Sequence, residues 1–432
     1  MRFSLMIFII LSINQLTESF VFSQSVSETI ELAISNNPTL KAAEEDVKSA
    51  GLAKISVFRK TLPSVDFNAG YRHVTDVAEI NLPGSVVMPA SKIGLATYDS
   101  YETGLTASYV VFSGYAQQAA VEISDRQYRF AENNKEKSIK DIAFETVTVY
   151  RQVQARKLNI ALLEAAAERT RLQLNQVKSL VRNGMALPVD TLSLALAKLS
   201  YDQKIISARA SMESAMQTLE ILAGEPVVPD EKNQDNLVSD YAELEISRIE
   251  AYKALEIQEQ LLESDIKRTR SAYYPSVAIE AAVKYGNPGV DVIKKDWMTY
   301  GVWGAGVSWN LWSWGADKKA VEAREAGIVR LGYQKKALVD QIRTRFDTAV
   351  RELSAVKEQL KVSEKALELS RQKMKIIQSQ SLQGMASATD FNDANLELTQ
   401  AELSYATQML TLDMKINEID YLSGQPINEW RL

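Results

Sequence analysis

The chain has 432 residues, no cysteine, one histidine, and 49 Lys and Arg against 55 Asp and Glu, for a formal net charge of −6. Without thiols there are no disulfides, no thiolate metal sites and no lipidation on cysteine, and one histidine is too few for a conventional transition-metal centre. The mild acidity gives no electrostatic footprint for nucleic acid.

Arg2 precedes an apolar run over 3–13, and the small residues Ser23 and Ser25 follow a second apolar patch. This reads as a signal peptide over 1–25. The alternative, a membrane anchor, needs about 20 apolar residues and the run is short. No later window is apolar for that length, so a membrane crossing has to be made by strands closed into a barrel.

From there the chain repeats itself. Tyr109-Val110-Val111-Phe112-Ser113 corresponds to Trp309-Asn310-Leu311-Trp312-Ser313, 200 residues on. Gly184-Met185-Ala186 with Asp190 returns as Gly384-Met385-Ala386 with Asp390, and Gly224-Glu225-Pro226 as Gly424-Gln425-Pro426. Earlier in each copy the offset is 212, as Pro63-Ser64-Val65 matches Pro275-Ser276-Val277. Several matches in one order mean duplication of a structural unit.

Each copy opens with a helical segment, about 26–62 in the first and 246–273 in the second. Pro63 or Pro275 ends it and starts an extended stretch. Val65, Phe67, Ala69 and Tyr71 alternate with Ser64, Asp66, Asn68 and Arg72, and Val277, Ile279, Ala281 and Val283 alternate with Ser276, Glu280 and Lys284. Return strands repeat the pattern with Leu105, Ala107, Tyr109 and Val111, then Trp303, Val307, Trp309 and Leu311. Strand regions are therefore set at 63–113 and 274–313. A length near ten residues suits a tilted strand crossing hydrocarbon, and a soluble sheet resting on a core is the alternative. Aromatic residues at strand ends, including Tyr98, Tyr101, Tyr273, Tyr274 and Tyr300, fit a headgroup girdle. Four strands cannot enclose a lumen, so more than one chain must share the barrel.

Residues 116–180 lack both proline and glycine. As one helix they would extend about 98 Å at roughly 1.5 Å per residue, far beyond the usual 11–12 residues. Turns at Gly184 and Gly384 and stops at Gly224 and Gly424 make two long hairpins, 114–224 and 314–424. A connector lies at 225–245 and a tail at 425–432. Ala and Ser on several faces favour side-by-side packing in a wall over a packed coiled coil.

The Pro-Ser strand starts, the Phe112-Ser113-Gly114 and Trp312-Ser313-Trp314-Gly315 segments, the Gly-to-Asp turns and the Gly-x-Pro helix ends together resemble the TolC-like outer membrane efflux protein family over nearly the whole mature chain. The resemblance implies a membrane β-barrel continuous with a long α-helical barrel. Each chain gives four strands and two antiparallel helical hairpins, and the assembly is a homotrimer. It implies a Gram-negative outer-membrane location with extension into the periplasm, and a passive exit duct for a tripartite efflux or type I secretion system. The implied partners are outer-membrane lipid, a periplasmic adaptor protein and an inner-membrane pump. No enzyme activity, cofactor or metal is implied, and no nucleic acid. A structural protein without conduction is the alternative.

The resemblance also assigns a periplasmic gate or cation-binding ring to Asp390 and Asp393, with Asp190 as a partner at the neighbouring turn. Asp390 and Asp393 stand i, i+3 on one helix face. As a plain alternative, Asp390 is a helix-start residue and Asp393 is solvated. Family members often place a basic lock residue where this chain has Ala386, leaving Arg182 or Lys375 as substitutes. The turns Asn183, Gly184, Met185 and Gln383, Gly384, Met385 are the expected adaptor contacts. His73 stands beside Arg72 at a strand's polar end, and no cluster supplies a nucleophile, a base and an orienting group together.

Overall fold

A computed structural model describes residues 23–84, 89, 91–94, 96–230, 243–291 and 296–432. The apolar leader 1–22, most of the connector and parts of both strand-joining loops lie outside the described residues. Among the described residues, no helix is long and apolar enough to cross a membrane.

The first helical segment is two helices, α1 (Val26–Asn36) and α2 (Pro38–Arg59). The break falls at Asn37, which is held extended by the following Pro38 and turns its side chain back to accept from the Thr39 N–H at 2.8 Å. Strand β1 (Ser64–His73) follows, then a short hairpin of β2 (Glu79–Leu82) and β3 (Ser91–Gly94) inside the loop, then β4 (Asp99–Phe112). The long hairpin of α3 (Ala116–Arg182) and α4 (Pro188–Ala223) completes the first copy. The second copy runs α5 (Glu250–Arg270), β5 (Ser276–Asn287), β6 (Met298–Ser308), α6 (Ala316–Leu382) and α7 (Ala388–Ser423). At 67 residues each, α3 and α6 reach about 100 Å at roughly 1.5 Å per residue.

The four long strands form one antiparallel sheet in the order β1-β4-β5-β6. The helices beneath continue that order as a single layer. Near the sheet α3 touches α2 and α5, and α5 touches α6. Further down, α4 packs on α3, α3 on α7, and α7 on α6. Among the described residues the chain is thus a strip with two free edges, β1 with α2 and α4 on one side and β6 with α6 on the other.

The duplication holds in geometry as well as sequence. Ser64 pairs with Ser108 in β1–β4, and Ser276 pairs with Ser308 in β5–β6. Lys135 meets Glu44 at 3.0 Å, and their counterparts Lys335 and Glu256 meet at 3.6 Å. The strand-to-helix corners correspond too. Each places two successive residues at positive φ, Gly114 and Tyr115 in one copy and Trp314 and Gly315 in the other.

Midway along the hairpins the layer thickens. Val26 and Ile30 of α1 pack with Ala143, Val147 and Tyr150 of α3, Leu219 of α4 and the buried Trp430 of the tail. The Tyr150 hydroxyl donates to the Gln24 carbonyl at 2.7 Å and accepts from the Asp230 N–H at 2.8 Å. The tail is tied down by Asp420, fully buried, which accepts from the Arg431 backbone N–H at 2.9 Å and from its guanidinium Nε at 3.0 Å. Removing one partner of a buried ion pair leaves the other charge desolvated and unpaired. Arg431→Ala is therefore expected to destabilise the fold by about 3–5 kcal/mol, measured by thermal or chemical unfolding in detergent, with Arg431→Lys losing less. Equal stability of Arg431→Ala and the parent would show that the strap is incidental.

Candidate functional site

The sheet presents two unlike faces. Register aligns Phe67 with Leu105, Leu105 with Val283 and Ala281 with Trp303, so apolar side chains share one face across all four strands. The opposite face carries Asp66, Asn68, Arg72, Thr106, Glu280 and Lys284 by the same parity. There Lys284 Nζ lies 2.9 Å from Glu102, and the Tyr300 hydroxyl donates to the other Glu102 oxygen at 2.5 Å. Tyr300 is therefore on the polar face and does not join a girdle. A groove of about 550 Å³ on this face is lined by Asn68, Arg72, Glu102, Glu280 and Lys284. Every residue of β1 is exposed, on both faces.

Aromatic residues cluster at both ends of the sheet. At one end Tyr71, Tyr101, Trp297 and Tyr285 follow one another with ring centroids 5.0–6.0 Å apart, the last two stacked and the others tilted. At the other, Phe112, Tyr115 and Tyr274 meet edge to face at 5.4 and 5.7 Å, near the exposed Trp309, Trp312 and Trp314. From Tyr101 to Phe112 the strand covers about 37 Å at roughly 3.4 Å per residue, or about 28 Å when tilted by about 40°. That matches the apolar band of a membrane barrel, about 25 Å tall. Trp309 and Leu311, expected within the return strand, lie just past the end of β6.

The helical hairpins end at two similar turns. Gly184 and Gly384 take φ of +68° and +72°, where a β-carbon would be strained, and each hairpin then starts its return helix within four residues. In the second turn Ser387 caps α7. Its Oγ accepts from the Asp390 N–H at 3.1 Å, while Asp390 Oδ2 accepts from the Ser387 N–H at 2.8 Å and hydroxyl at 2.7 Å. In the first turn Asp190 Oδ2 accepts from the Leu187 N–H at 3.2 Å. The bonds from Ser387 hold the exposed Asp390 carboxyl below the usual aspartate range.

Asp390 and Asp393 are both exposed at the start of α7, and neighbouring Phe391 and Ala394 turn into the core of the layer. Asp390 uses one oxygen for capping, while Asp393 has no hydrogen-bond partner among the described residues. Asp190 is half-buried on the other hairpin and makes no bond to either. Arg182 and Lys375 are exposed and form no ion pair among the described residues. The turn residues Asn183, Gly184, Met185, Gln383, Gly384 and Met385 are all exposed, and Met185 and Met385 stand out with Leu187 and Leu382 as apolar knobs.

Above the turns, a polar joint that no sequence motif marks links the two hairpins. Arg169 of α3 donates to Asn395 Oδ1 at 2.7 Å and to Thr399 Oγ1 and Glu402 Oε2 at 3.2 Å each, all on α7. Asn395, wholly buried, donates onward to Thr170 Oγ1 at 3.0 Å. Higher on the same seam, the buried Arg151 of α3 lies 4.0 Å from Asp413 of α7. These partners are more than 220 residues apart in sequence, so no local pattern joins them.

A family model described as outer membrane efflux protein matches residues 29–225 and 247–424. No curated protein matches the chain by sequence. In fold it is similar to CusC, with a TM-score of 0.79 at 12% identity over 94% of each chain. It is also similar to the outer membrane protein VceC of Vibrio cholerae, with a TM-score of 0.74 at 16% identity over 92% of this chain and 96% of that one. The MtrE outer membrane channel of Neisseria gonorrhoeae, in its open state, gives a TM-score of 0.75 at 16% identity over 92% and 88%.

If Ser387 sets the state of Asp390, Ser387→Ala should raise the Asp390 titration midpoint toward the ordinary aspartate value. The sign follows from the lowered folded value, since capping is complete above the ordinary pKa and is lost as pH falls through the lowered one. Carboxyl-carbon NMR of labelled protein reads the midpoint directly, and an unmoved value would contradict the assignment.

Proposed function

The chain belongs to the outer membrane efflux protein family, and from that premise we propose that three copies close into one tube whose hairpin turns form a narrow acidic end that docks an adaptor. The protein lies in the Gram-negative outer membrane and extends into the periplasm. It is a passive exit duct, not an enzyme, and serves an efflux or secretion system.

The observation that carries the assembly is the pair of free edges. Four strands spaced about 4.8 Å apart and tilted by about 40° would make a ring only about 8 Å across, which backbone alone fills. Twelve make one of about 24 Å, and three is the count that the family resemblance implies. Edges left open in hydrocarbon would strand peptide groups at several kcal/mol each.

The helical edges carry matching apolar residues. Leu192, Leu199 and Ile206 on α4 lie 8, 15 and 22 residues from Gly184, and Ile376, Leu369 and Val362 on α6 lie 8, 15 and 22 residues from Gly384. All six are more than half exposed. A seven-residue repeat at equal heights on opposite edges suits packing of one copy on the next. Fully burying each side chain contributes roughly 1.5–3 kcal/mol.

In such a tube the polar sheet face lines the lumen and the apolar face meets lipid. Asp390 and Asp393 then stand near the narrow end in three copies, where carboxylate rings favour cations. The exposed Met185 and Met385 with Leu187 and Leu382 offer the adaptor flexible apolar contacts. An inner-membrane pump supplies the cargo.

Reconstituted in planar bilayers, the protein should conduct and prefer cations. Asp390→Ala with Asp393→Ala should lower that preference and weaken block by multivalent cations. An unchanged reversal potential and block would remove the acidic ring, and the absence of any pore in either protein would remove conduction.

A further inference from the structure

Within one chain, the junction between the two copies is visible in detail. It is made by β4 against β5 and by α3 against α7 and α5. If copies follow one another around a tube, the junction between neighbouring chains joins the second copy of one to the first copy of the next. The duplication then specifies it residue by residue. Numbers on β4 and α3 rise by 200 to give β6 and α6. Those on β5 fall by 212 to give β1, and those on α7 fall by 200 to give α4. Inside the chain these offsets already convert the whole β1–β4 register into the β5–β6 register, and Lys135–Glu44 into Lys335–Glu256.

Building on the trimer reading, we propose that the interface between neighbouring copies reproduces this internal junction, pairing Ser308 with the next copy's Asn68 in the barrel and Arg351 with the next copy's Glu213 in the helical wall. The strand pair comes from Ser108 opposite Glu280. The same shift sets Gly304 opposite Arg72 and Ala305 opposite Tyr71, from Gly104–Lys284 and Leu105–Val283. Trp309 falls opposite Phe67, from Tyr109–Ile279, which keeps apolar residues on the apolar face.

The lengths of the strands support the assignment. β4 continues to Phe112, and β5 pairs with it over Tyr109, Val110 and Phe112. The counterpart of that stretch, 309–312, is not strand in the single chain, and β6 stops at Ser308. By the shift, its partner is the 65–67 part of β1, which the next copy supplies.

The helices give a second, independent sign. The ion pair Arg151–Asp413 converts to Arg351 and Glu213, again a cation on the descending helix and a carboxylate on the returning one. Both are exposed, and neither has an ion-pair partner among the described residues. Seven-residue steps put Glu213 on the same face of α4 as Leu199 and Ile206. Eleven residues, close to three turns, put Arg351 on the face of Val362. The contact of Arg169 with Thr399 converts to Leu369 with Leu199, both apolar and both exposed. A polar pair has become an apolar one on both sides at once, as a shared contact requires.

The cysteine-free chain makes the register directly testable by cross-linking in outer-membrane vesicles. The Ser308→Cys/Asn68→Cys protein should oxidise to covalent dimers and trimers at least about tenfold more than Ser308→Cys/Asp66→Cys or Ser308→Cys/Gly70→Cys, whose two-residue slips carry the pair beyond disulfide reach. Arg351→Glu and Glu213→Arg should each lower the temperature at which the trimer dissociates, and the double reversal should recover most of the loss. A trimer that cross-links best through a displaced pair, or shows no recovery in the double reversal, overturns the register while leaving the assembly. Recovery of single chains alone from the parent protein overturns the assembly itself.

Discussion

A peptide group in hydrocarbon has no water to bond, and leaving one unpaired costs several kcal/mol. That constraint acts on the outer edges of β1 and β6 more strongly than on any other part of this chain. Inside the sheet the ladders run with a single irregularity, near Val110 and Phe112. Along the two edges, no strand among the described residues completes them. The helical layer repeats the condition in water, where α4 and α6 expose apolar residues at heptad spacing. In the proposed assembly these two complementary edges close on other copies of the chain.

In the proposed ring, closure fixes the rest. Once the strip bends into a ring, the sheet's polar parity becomes a lumen wall and its apolar parity a lipid surface. The aromatic clusters at Tyr71–Trp297 and Phe112–Tyr274 come to lie at the two headgroup levels. Because α3 and α6 leave β4 and β6 through tight left-handed corners, the helices carry the same wall onward for about 100 Å. The mid-height belt, with Tyr150, Trp430 and the Asp420–Arg431 strap, ties α1 and the tail to that wall. At the far end of the proposed tube, the capped turn at Ser387 and Asp390 carries exposed carboxylates and apolar knobs.

Much of this was legible in the residues. Strand alternation has a period of two, and the 200-residue recurrence of the Gly-Met-Ala turns and Gly-x-Pro stops needs no structure to detect. Parity also contained the placement of Tyr300, which shares its face with Gly304 and Gly306. Position at the strand end points Tyr300 to a girdle, but its side of the strand overrides that. The split at Asn37 is legible in Pro38, by the same restriction on the preceding residue that acts at Pro63. The Arg169–Asn395–Glu402 joint was not legible, because helix period fixes a face but not which distant helix meets it. The same holds for Asp420 with Arg431, whose pairing depends on how the tail folds back after Gly424. For Asp390 the sequence supported both a capping and a gating role, and the geometry shows one carboxylate oxygen engaged in capping.

The central claim is that the edges of one chain are completed by other copies of it. Native mass spectrometry of the complex extracted from outer membranes tests this most directly. The account predicts a species at three times the mass of one subunit, with no abundant single-chain form. A dominant single-chain mass, from membranes in which the protein conducts, would contradict it.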